Sequence, residues 1–227
     1  MPDKENIRWF KTQFKTKIEQ ITRGTPFSVD LLTAIALQET GYLWGVLRNT
    51  LSTEEVLKRC VGDTIDAPGR DAFPTTKAKL LPEPRGAEMF AIARAALESI
   101  APYNADYRRA ATNPNKFCHG FGIFQYDLQF FKNNPAFFLE KRWYNFDECL
   151  NLFVKDELKS ALRGLFGSGK TTLTDRESVF VAIAYNTGAR KVRLDGDFKQ
   201  GHKEKGDSGK YYGEYIWEYL QLSKATG

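Results

Sequence analysis

Residues 28–41 read SVDLLTAIALQETG, and this stretch indicates both the fold class and a candidate site. Ser28 is a typical N-cap, because a serine hydroxyl accepts a hydrogen bond from a backbone N–H in the first helical turn. Apolar residues follow at helical spacing and predict one buried face, formed by Leu31, Leu32, Ile35 and Ala36. Gly41 is a typical residue just beyond a helix end, so the helix is predicted to stop there.

Glu39 is the charged residue that continues this apolar face, at the predicted end of the helix. A carboxyl group that is half-buried against apolar side chains has a raised pKa and stays protonated near neutral pH. Such a group is suited to be the general acid in cleavage of a glycosidic bond. The alternative is a solvent-facing glutamate at a frayed helix end, and this stretch alone leaves both interpretations open.

Two later stretches combine glycine with polar side chains. Residues 119–127 read HGFGIFQYD, where glycine permits close approach of the backbone to a ligand and Gln125 and Asp127 offer polar groups. The alternative there is a glycine-rich turn with an aspartate cap. Residues 182–193 read AIAYNTGARKVR, in which an apolar helix is predicted to end at Gly188. An ordinary helix cap is the alternative for this stretch.

In this order the three stretches resemble glycoside hydrolase family 23, which contains goose-type lysozymes and soluble lytic transglycosylases. The resemblance extends over about residues 28–220, and residues 209–215, GKYYGEY, resemble the tyrosine-bearing last helix of that family. It implies a mainly α, lysozyme-like single domain over residues 1–227. A small irregular or short-strand region is expected to form the floor of the cleft.

The resemblance also implies roles for the matching residues. Glu39 corresponds to the catalytic acid, and Asp127 to an aspartate that helps to position the attacking water. Tyr185 corresponds to the tyrosine that orients the acid, with Asn186 beside it in the cleft. The full set matched to substrate binding is Ile123, Phe124, Gln125, Tyr185, Asn186 and Tyr212, in which the backbone of the first two residues belongs to the strand-like floor.

The implied activity is cleavage of the β-1,4 bonds between N-acetylmuramic acid and N-acetylglucosamine in peptidoglycan, without a metal or other cofactor. Hydrolysis and lytic transglycosylation, which gives 1,6-anhydro products, both begin with protonation of the leaving oxygen by Glu39. Asp127 favours hydrolysis. A chitinase and a non-catalytic glycan-binding module remain alternatives, and the joint presence of Glu39, Gln125 and Tyr185 argues against the second.

The rest of the chain predicts further helices around an irregular insert. The N-terminal segment, residues 1–27, and residues 86–100, 145–165, 174–186 and 209–223 have helical periodicity. Residues 48–86 contain four prolines and are predicted to be irregular, except for a short helix at 53–60. Residues 101–135 show little helical periodicity. Goose-type members have a further aspartate shortly before the Gly-x-Gly motif. The sequence does not show which residue, if any, of Asp63, Asp66, Asp71 and Asp106 corresponds to it.

Residues 164–171, GLFGSGKT, fit the pattern of a phosphate-binding loop. Such a loop follows a buried strand, whereas residues 150–163 have helical periodicity. Thr174 and Glu177 match a capping box, which starts a new helix. The stretch is therefore predicted to connect two helices and to bind no nucleotide.

Composition restricts the partners. The net charge of +5 and the absence of a dense basic tract argue against nucleic acid, while a positive field suits an anionic wall polymer. Three scattered cysteines and two histidines predict no zinc site, and leave open one disulfide or three thiols.

The sequence predicts neither a membrane span nor a signal peptide. A target in the bacterial wall or periplasm then requires delivery by phage lysis or a secretion machine, or a signal already removed. A lysin or an antibacterial effector fits these routes, and an effector would have an immunity partner.

Overall fold

The computed structural model describes residues 2–62, 70–203 and 209–227. Helices account for 63% of the chain and strands for 4%, which confirms the mainly α prediction. The chain divides into two compact units, the first formed by Met1–Gly41 and Leu150–Gly227 and the second by Tyr42–Cys149. One lysozyme-like domain over residues 1–227 stays a prediction.

Eleven α-helices are present among the described residues. In chain order they are α1 (Pro2–Thr22), α2 (Val29–Leu47), α3 (Thr53–Lys58), α4 (Lys77–Leu80), α5 (Gly86–Ile100), α6 (Ala105–Ala111), α7 (Pro135–Leu139), α8 (Phe146–Leu152), α9 (Lys159–Phe166), α10 (Asp175–Thr187) and α11 (Tyr212–Lys224). A π-helical segment, Phe153–Leu158, joins α8 to α9. Short 3₁₀ helices are Ala101–Tyr103, Leu128–Phe130, Arg142–Tyr144 and Ala189–Lys191. The strands are β1 (Val61–Gly62), β2 (Gly120–Phe121) and β3 (Tyr126–Asp127).

Helix α10 is the central element of the first unit, because every residue from 178 to 184 is buried. It packs against α9, α11 and the π-helical segment. The Thr174 hydroxyl accepts a hydrogen bond from the Glu177 backbone N–H, and the Glu177 carboxylate accepts from the Thr174 N–H, so the predicted capping box is confirmed. Helix α1 contributes Ile7, Phe10, Phe14 and Ile18 to the core of this unit.

Helix α2 begins as predicted but extends six residues beyond the predicted end. The Ser28 hydroxyl accepts a hydrogen bond from the Leu31 N–H at 3.1 Å. The helix continues through Gly41 to Leu47, so the predicted end at Gly41 is wrong. The reason is that Leu43, Trp44 and Leu47, which are 0–2% exposed, prolong the buried face of the helix. Glu39 therefore lies within a helix and not at its end.

The second unit contains the short-strand region that the sequence predicts. Strands β1, β2 and β3 form an antiparallel sheet in this order, with Val61 opposite Phe121 and Gly120 opposite Asp127. Residues 122–125 form the turn between β2 and β3. The prediction of a strand-like backbone at Ile123 and Phe124 is therefore wrong. Both residues lie in the turn, because β2 and β3 are each only two residues long.

Other parts of the second unit are more regular than predicted. The insert at residues 48–86 contains α3, as predicted, and also β1 and α4, while residues 63–69, with Asp63 and Asp66, lie outside the described part. Helix α5 has the predicted bounds. Helix α6 is too short to give a visible period. Its N-cap is Asn104, whose side chain accepts from the Asp106 N–H at 2.9 Å.

Candidate active site

Glu39 is hydrogen-bonded to a tyrosine of the last helix. The Tyr212 hydroxyl donates to Glu39 Oε1 at 2.8 Å, and both residues belong to the first unit. Tyr212 is 4% exposed and is the first residue of α11, whereas Glu39 is half-buried in α2. The expectation of a half-buried carboxyl group is therefore confirmed, and the alternative of a frayed, solvent-facing glutamate is excluded.

The start of α11 is held in place by several backbone contacts. The Tyr212 N–H donates to the His202 carbonyl at 2.8 Å, and the Glu214 carboxylate accepts from the Tyr211 N–H at 2.9 Å. Gly201 lies against Tyr212 with φ of +89°, and a Cβ at that position would be 2.8 Å from the Tyr212 Cβ. These contacts fix the position from which the phenol reaches Glu39.

The surroundings of Tyr212 raise the pKa of its phenol well above the ordinary value. Burial is the largest cause, followed by the negative charge of Glu39 and by the proximity of Tyr185. The phenol consequently remains protonated at physiological pH and acts as a hydrogen-bond donor. A buried, neutral donor next to a carboxylate orients that carboxylate without exchanging a proton with it.

Tyr185 and Asn186 lie in the last turn of α10, which ends at Gly188 as predicted. The Tyr185 ring is perpendicular to that of Phe153, with 5.0 Å between ring centroids. Asn186 Oδ1 accepts from the His202 N–H at 3.1 Å, so Asn186 supports the loop that precedes Tyr212. The role of orienting the acid, which the resemblance gives to Tyr185, stays a prediction, and the Tyr212 hydroxyl donates to the same carboxylate.

Gln125 lies in the second unit, in the turn between β2 and β3, with φ of +55°. Its Nε2 donates to the Gly122 carbonyl at 2.8 Å. A Cβ at Gly62 or Gly120 would lie 2.5 or 2.3 Å from the Gln125 Oε1. Glycine at these two positions therefore leaves the space in which the Gln125 amide packs against the sheet. In this arrangement the Gln125 amide stabilises the junction of turn and sheet.

Ile123 and Phe124 have buried side chains, with 0% and 3% exposure. The Phe124 ring packs near that of Phe146, with 6.1 Å between centroids. Their side chains belong to the core of the second unit. The role in sugar binding that the resemblance implies for them would therefore not involve their side chains.

Asp127 accepts two hydrogen bonds on its Oδ1 atom. One comes from the Gln129 N–H at 2.7 Å and caps the 3₁₀ helix Leu128–Phe130. The other comes from the guanidinium of Arg70, which also forms an ion pair with it. Sequence reasoning missed Arg70, because it lies in the irregular insert and 57 residues from Asp127. Asp127 thus has the capping function that the sequence left open as the alternative, and the pairing with Arg70 was not predicted.

The stretch that fits the phosphate-loop pattern connects α9 to α10, as predicted. Helix α9 ends at Phe166, Gly167 follows with φ of +77°, and α10 begins at Asp175. Lys170 forms an ion pair with Glu177 at 2.6 Å. A helix rather than a strand precedes this stretch, so the architecture of a phosphate-binding loop is absent at residues 164–171.

Three further findings concern groups considered in the sequence. Cys60, Cys118 and Cys149 are buried free thiols, which excludes the alternative of a disulfide among them in this structure. Among the described residues, no group of three or more histidine, cysteine, aspartate or glutamate side chains is placed to hold a metal ion. None of the described helices is both long and apolar enough to cross a membrane.

Comparisons of the chain with protein-family models, with curated proteins and with solved structures gave no match.

Proposed function

We propose that this protein is a lysozyme-like muramidase that cleaves the β-1,4 bonds of peptidoglycan, with Glu39 as its general acid. The observation that carries the proposal is the hydrogen bond of 2.8 Å from the Tyr212 hydroxyl to Glu39 Oε1. A half-buried carboxyl group held by a protonated phenol is the arrangement expected of an oriented proton donor. The resemblance of the three sequence stretches to glycoside hydrolase family 23 supports the same assignment.

Each group has a defined part in the proposed reaction. The Tyr212 hydroxyl donates to Oε1, and Glu39 transfers its carboxyl proton to the glycosidic oxygen. Bond cleavage then proceeds through an oxocarbenium-like transition state. The transfer leaves Glu39 negatively charged, and a hydrogen bond to a charged group stabilises that state by about 1.5–3 kcal/mol. The raised pKa of Tyr212 keeps its own proton in place throughout.

The first test compares Glu39→Gln with Glu157→Gln on dye-labelled peptidoglycan sacculi. Glutamine removes the transferable proton with little change of shape, so the initial rate of dye release is expected to fall by about 10²–10⁴-fold. Glu157 is a matched control, because it is also partly buried in the first unit and its pKa is raised by burial. Glu157→Gln is expected to release dye within twofold of the wild-type rate.

Circular dichroism spectra of both variants check that the fold is retained. Wild-type rates in Glu39→Gln, or an equal loss in both variants, would contradict the role of Glu39.

The position of Asp127 favours a second candidate within the same class, a lytic transglycosylase. Its Oδ1 is engaged by Arg70 and by the Gln129 N–H, which reduces its capacity to direct a water molecule. In transglycosylation the 6-hydroxyl of the sugar attacks instead of water, and no second carboxylate is required. The two reactions therefore differ in whether they require the negative charge of Asp127. Hydrolysis requires it, and transglycosylation does not.

Asp127→Asn removes this charge but retains an oxygen that accepts from the Gln129 N–H. If the protein hydrolyses its substrate, the substitution is expected to lower the rate of sugar release at least tenfold, because the water loses its acceptor. Arg70→Gln is the control, since it breaks the same ion pair and leaves the carboxylate intact. Unchanged activity in Asp127→Asn, together with 1,6-anhydro products, would overturn hydrolysis and establish transglycosylation.

A further inference from the structure

The first unit contains a concave site of about 530 Å³ that the proposed reaction does not use. We call it the basic pocket, because Lys155, Lys159, Arg163 and Lys170 line it. Apolar side chains, among them Ile21, Val154 and Leu162, also line it. Ile21 is partly exposed and lines this pocket, whereas the four core residues of α1 named above are buried.

The charges of the basic pocket are largely uncompensated. None of its described lining residues is acidic. Lys170 is paired with Glu177, which leaves three cations. Lys155, Lys159 and Arg163 form no ion pair with any residue in the ranges 2–62, 70–203 and 209–227.

These three cations form a row along one side of the pocket. Lys159 and Arg163 are one turn apart on α9, which places their backbone atoms about 6 Å apart along the helix axis. Lys155 precedes them by four residues and belongs to the π-helical segment, a distortion that is frequent at functional sites. Ser168 and Thr171, on the connection from α9 to α10, add hydroxyl groups to the lining.

The connection from α9 to α10 has open space next to Gly167 and Gly169. No described atom lies within 4 Å of a Cβ built on Gly167 or Gly169, so packing does not require glycine at either position. The backbone of this turn is therefore accessible to a ligand on that side. A volume of this size is typical of pockets that take a small molecule.

We propose that the basic pocket binds a phosphate ester whose organic part is apolar. A phosphate monoester carries a charge of about −1.5 to −2 at neutral pH, and so balances about two cations where a carboxylate balances one. The planar guanidinium of Arg163 matches two phosphate oxygens, and the lysines and hydroxyls supply further donors. The apolar lining would contact the organic part. This binding is independent of the proposed muramidase activity.

Isothermal titration calorimetry with phenyl phosphate tests the proposal. The double variant Lys159→Gln/Arg163→Gln is expected to bind phenyl phosphate at least tenfold more weakly than the wild type. Lys4→Gln/Lys15→Gln is the matched control, because it removes the same charge from exposed positions of α1 outside the pocket. The control is expected to bind within twofold of the wild type.

A second titration with phosphatidylglycerol vesicles identifies the source of the phosphate. Binding of phenyl phosphate alone would assign a free monoester, and binding of the vesicles alone would assign the diester of a lipid headgroup. Either result supports binding in the basic pocket, provided that the Lys159→Gln/Arg163→Gln variant loses this binding and the Lys4→Gln/Lys15→Gln variant retains it. The proposal is overturned if neither probe binds at low salt, or if the two double variants lose affinity equally.

Discussion

Glu39 and Tyr212 are separated by 173 positions in the sequence and share one hydrogen bond. The candidate role of Glu39 was predictable, because its place on an apolar helix face is visible within a dozen residues. The partner was not predictable in the same way, since no local pattern connects two residues so distant along the chain. The resemblance gave the orienting role to Tyr185, which lies close enough to Tyr212 to raise the pKa of its phenol.

Tyr212→Phe removes the hydroxyl that reaches Glu39 and retains the buried ring. The loss of a hydrogen bond to a charged group, about 1.5–3 kcal/mol, is expected to lower the rate on sacculi about 10- to 100-fold. Tyr185→Phe serves as the comparison and is expected to have the smaller effect on kcat. A larger loss of activity in Tyr185→Phe than in Tyr212→Phe would show that Tyr185 is the residue that orients the acid.

Single elements differ in how clearly the sequence predicts them. Helices α5 and α10 were predicted with nearly the observed bounds, because their apolar residues recur at helical spacing and, in α10, a capping box and a glycine mark the two ends. Helix α2 was predicted too short, since Gly41 resembles a helix stop while packing against Leu37, 2.6 Å from where its Cβ would be. The π-helical segment was not predicted, because a single inserted residue hardly changes an apolar period.

The turn between β2 and β3 depends on glycine at position 122 for two reasons. Its φ is +80°, and a Cβ there would be 2.6 Å from the Cys149 Sγ atom. Gly122→Ala therefore combines backbone strain with overpacking in the core of the second unit. We expect its free energy of unfolding to fall about 1–3 kcal/mol below that of Gly167→Ala.

Gly167 is a matched control, because it has φ of +77° but no described atom within 4 Å of the Cβ position. Urea denaturation of both variants measures the difference. Equal stability of the two would show that the contact with Cys149 relaxes without cost.

At the scale of the whole molecule, the sequence predicted the mainly α class from its many helical periods. The division into two compact units was not predicted, because the first unit joins residues 1–41 to residues 150–227. Which distant segments pack together depends on side-chain complementarity that periodicity does not describe. The same limit applies to the basic pocket, whose lining comes from both of these segments.

Global stability is expected to fall at alkaline pH. Burial raises the pKa of the Cys149 thiol from 9.0 to about 12. Between these values the unfolded chain loses this proton while the folded protein retains it, so the free energy of unfolding falls as the pH rises. Three pKa units correspond to roughly 4 kcal/mol as an upper limit. Below pH 9 the thiol is protonated in both states and has no effect.

Cys149→Ser removes this titration, and urea unfolding at pH 8 to 11 is expected to show a smaller loss of stability than in the wild type. Tyr212 adds a loss in the same direction above pH 10, because its pKa is also raised. Parallel losses in wild type and Cys149→Ser would contradict the assignment to Cys149.

Mass spectrometry of the soluble products released from peptidoglycan sacculi tests the central claim most directly. Wild-type protein is expected to release disaccharide muropeptides, while Glu39→Gln at the same concentration releases none above background. Reducing ends on these products would establish hydrolysis, and 1,6-anhydro ends would establish transglycosylation, both with Glu39 as the acid. Equal product release by the two proteins, or none from the wild type, would contradict the claim that Glu39 makes this protein a muramidase.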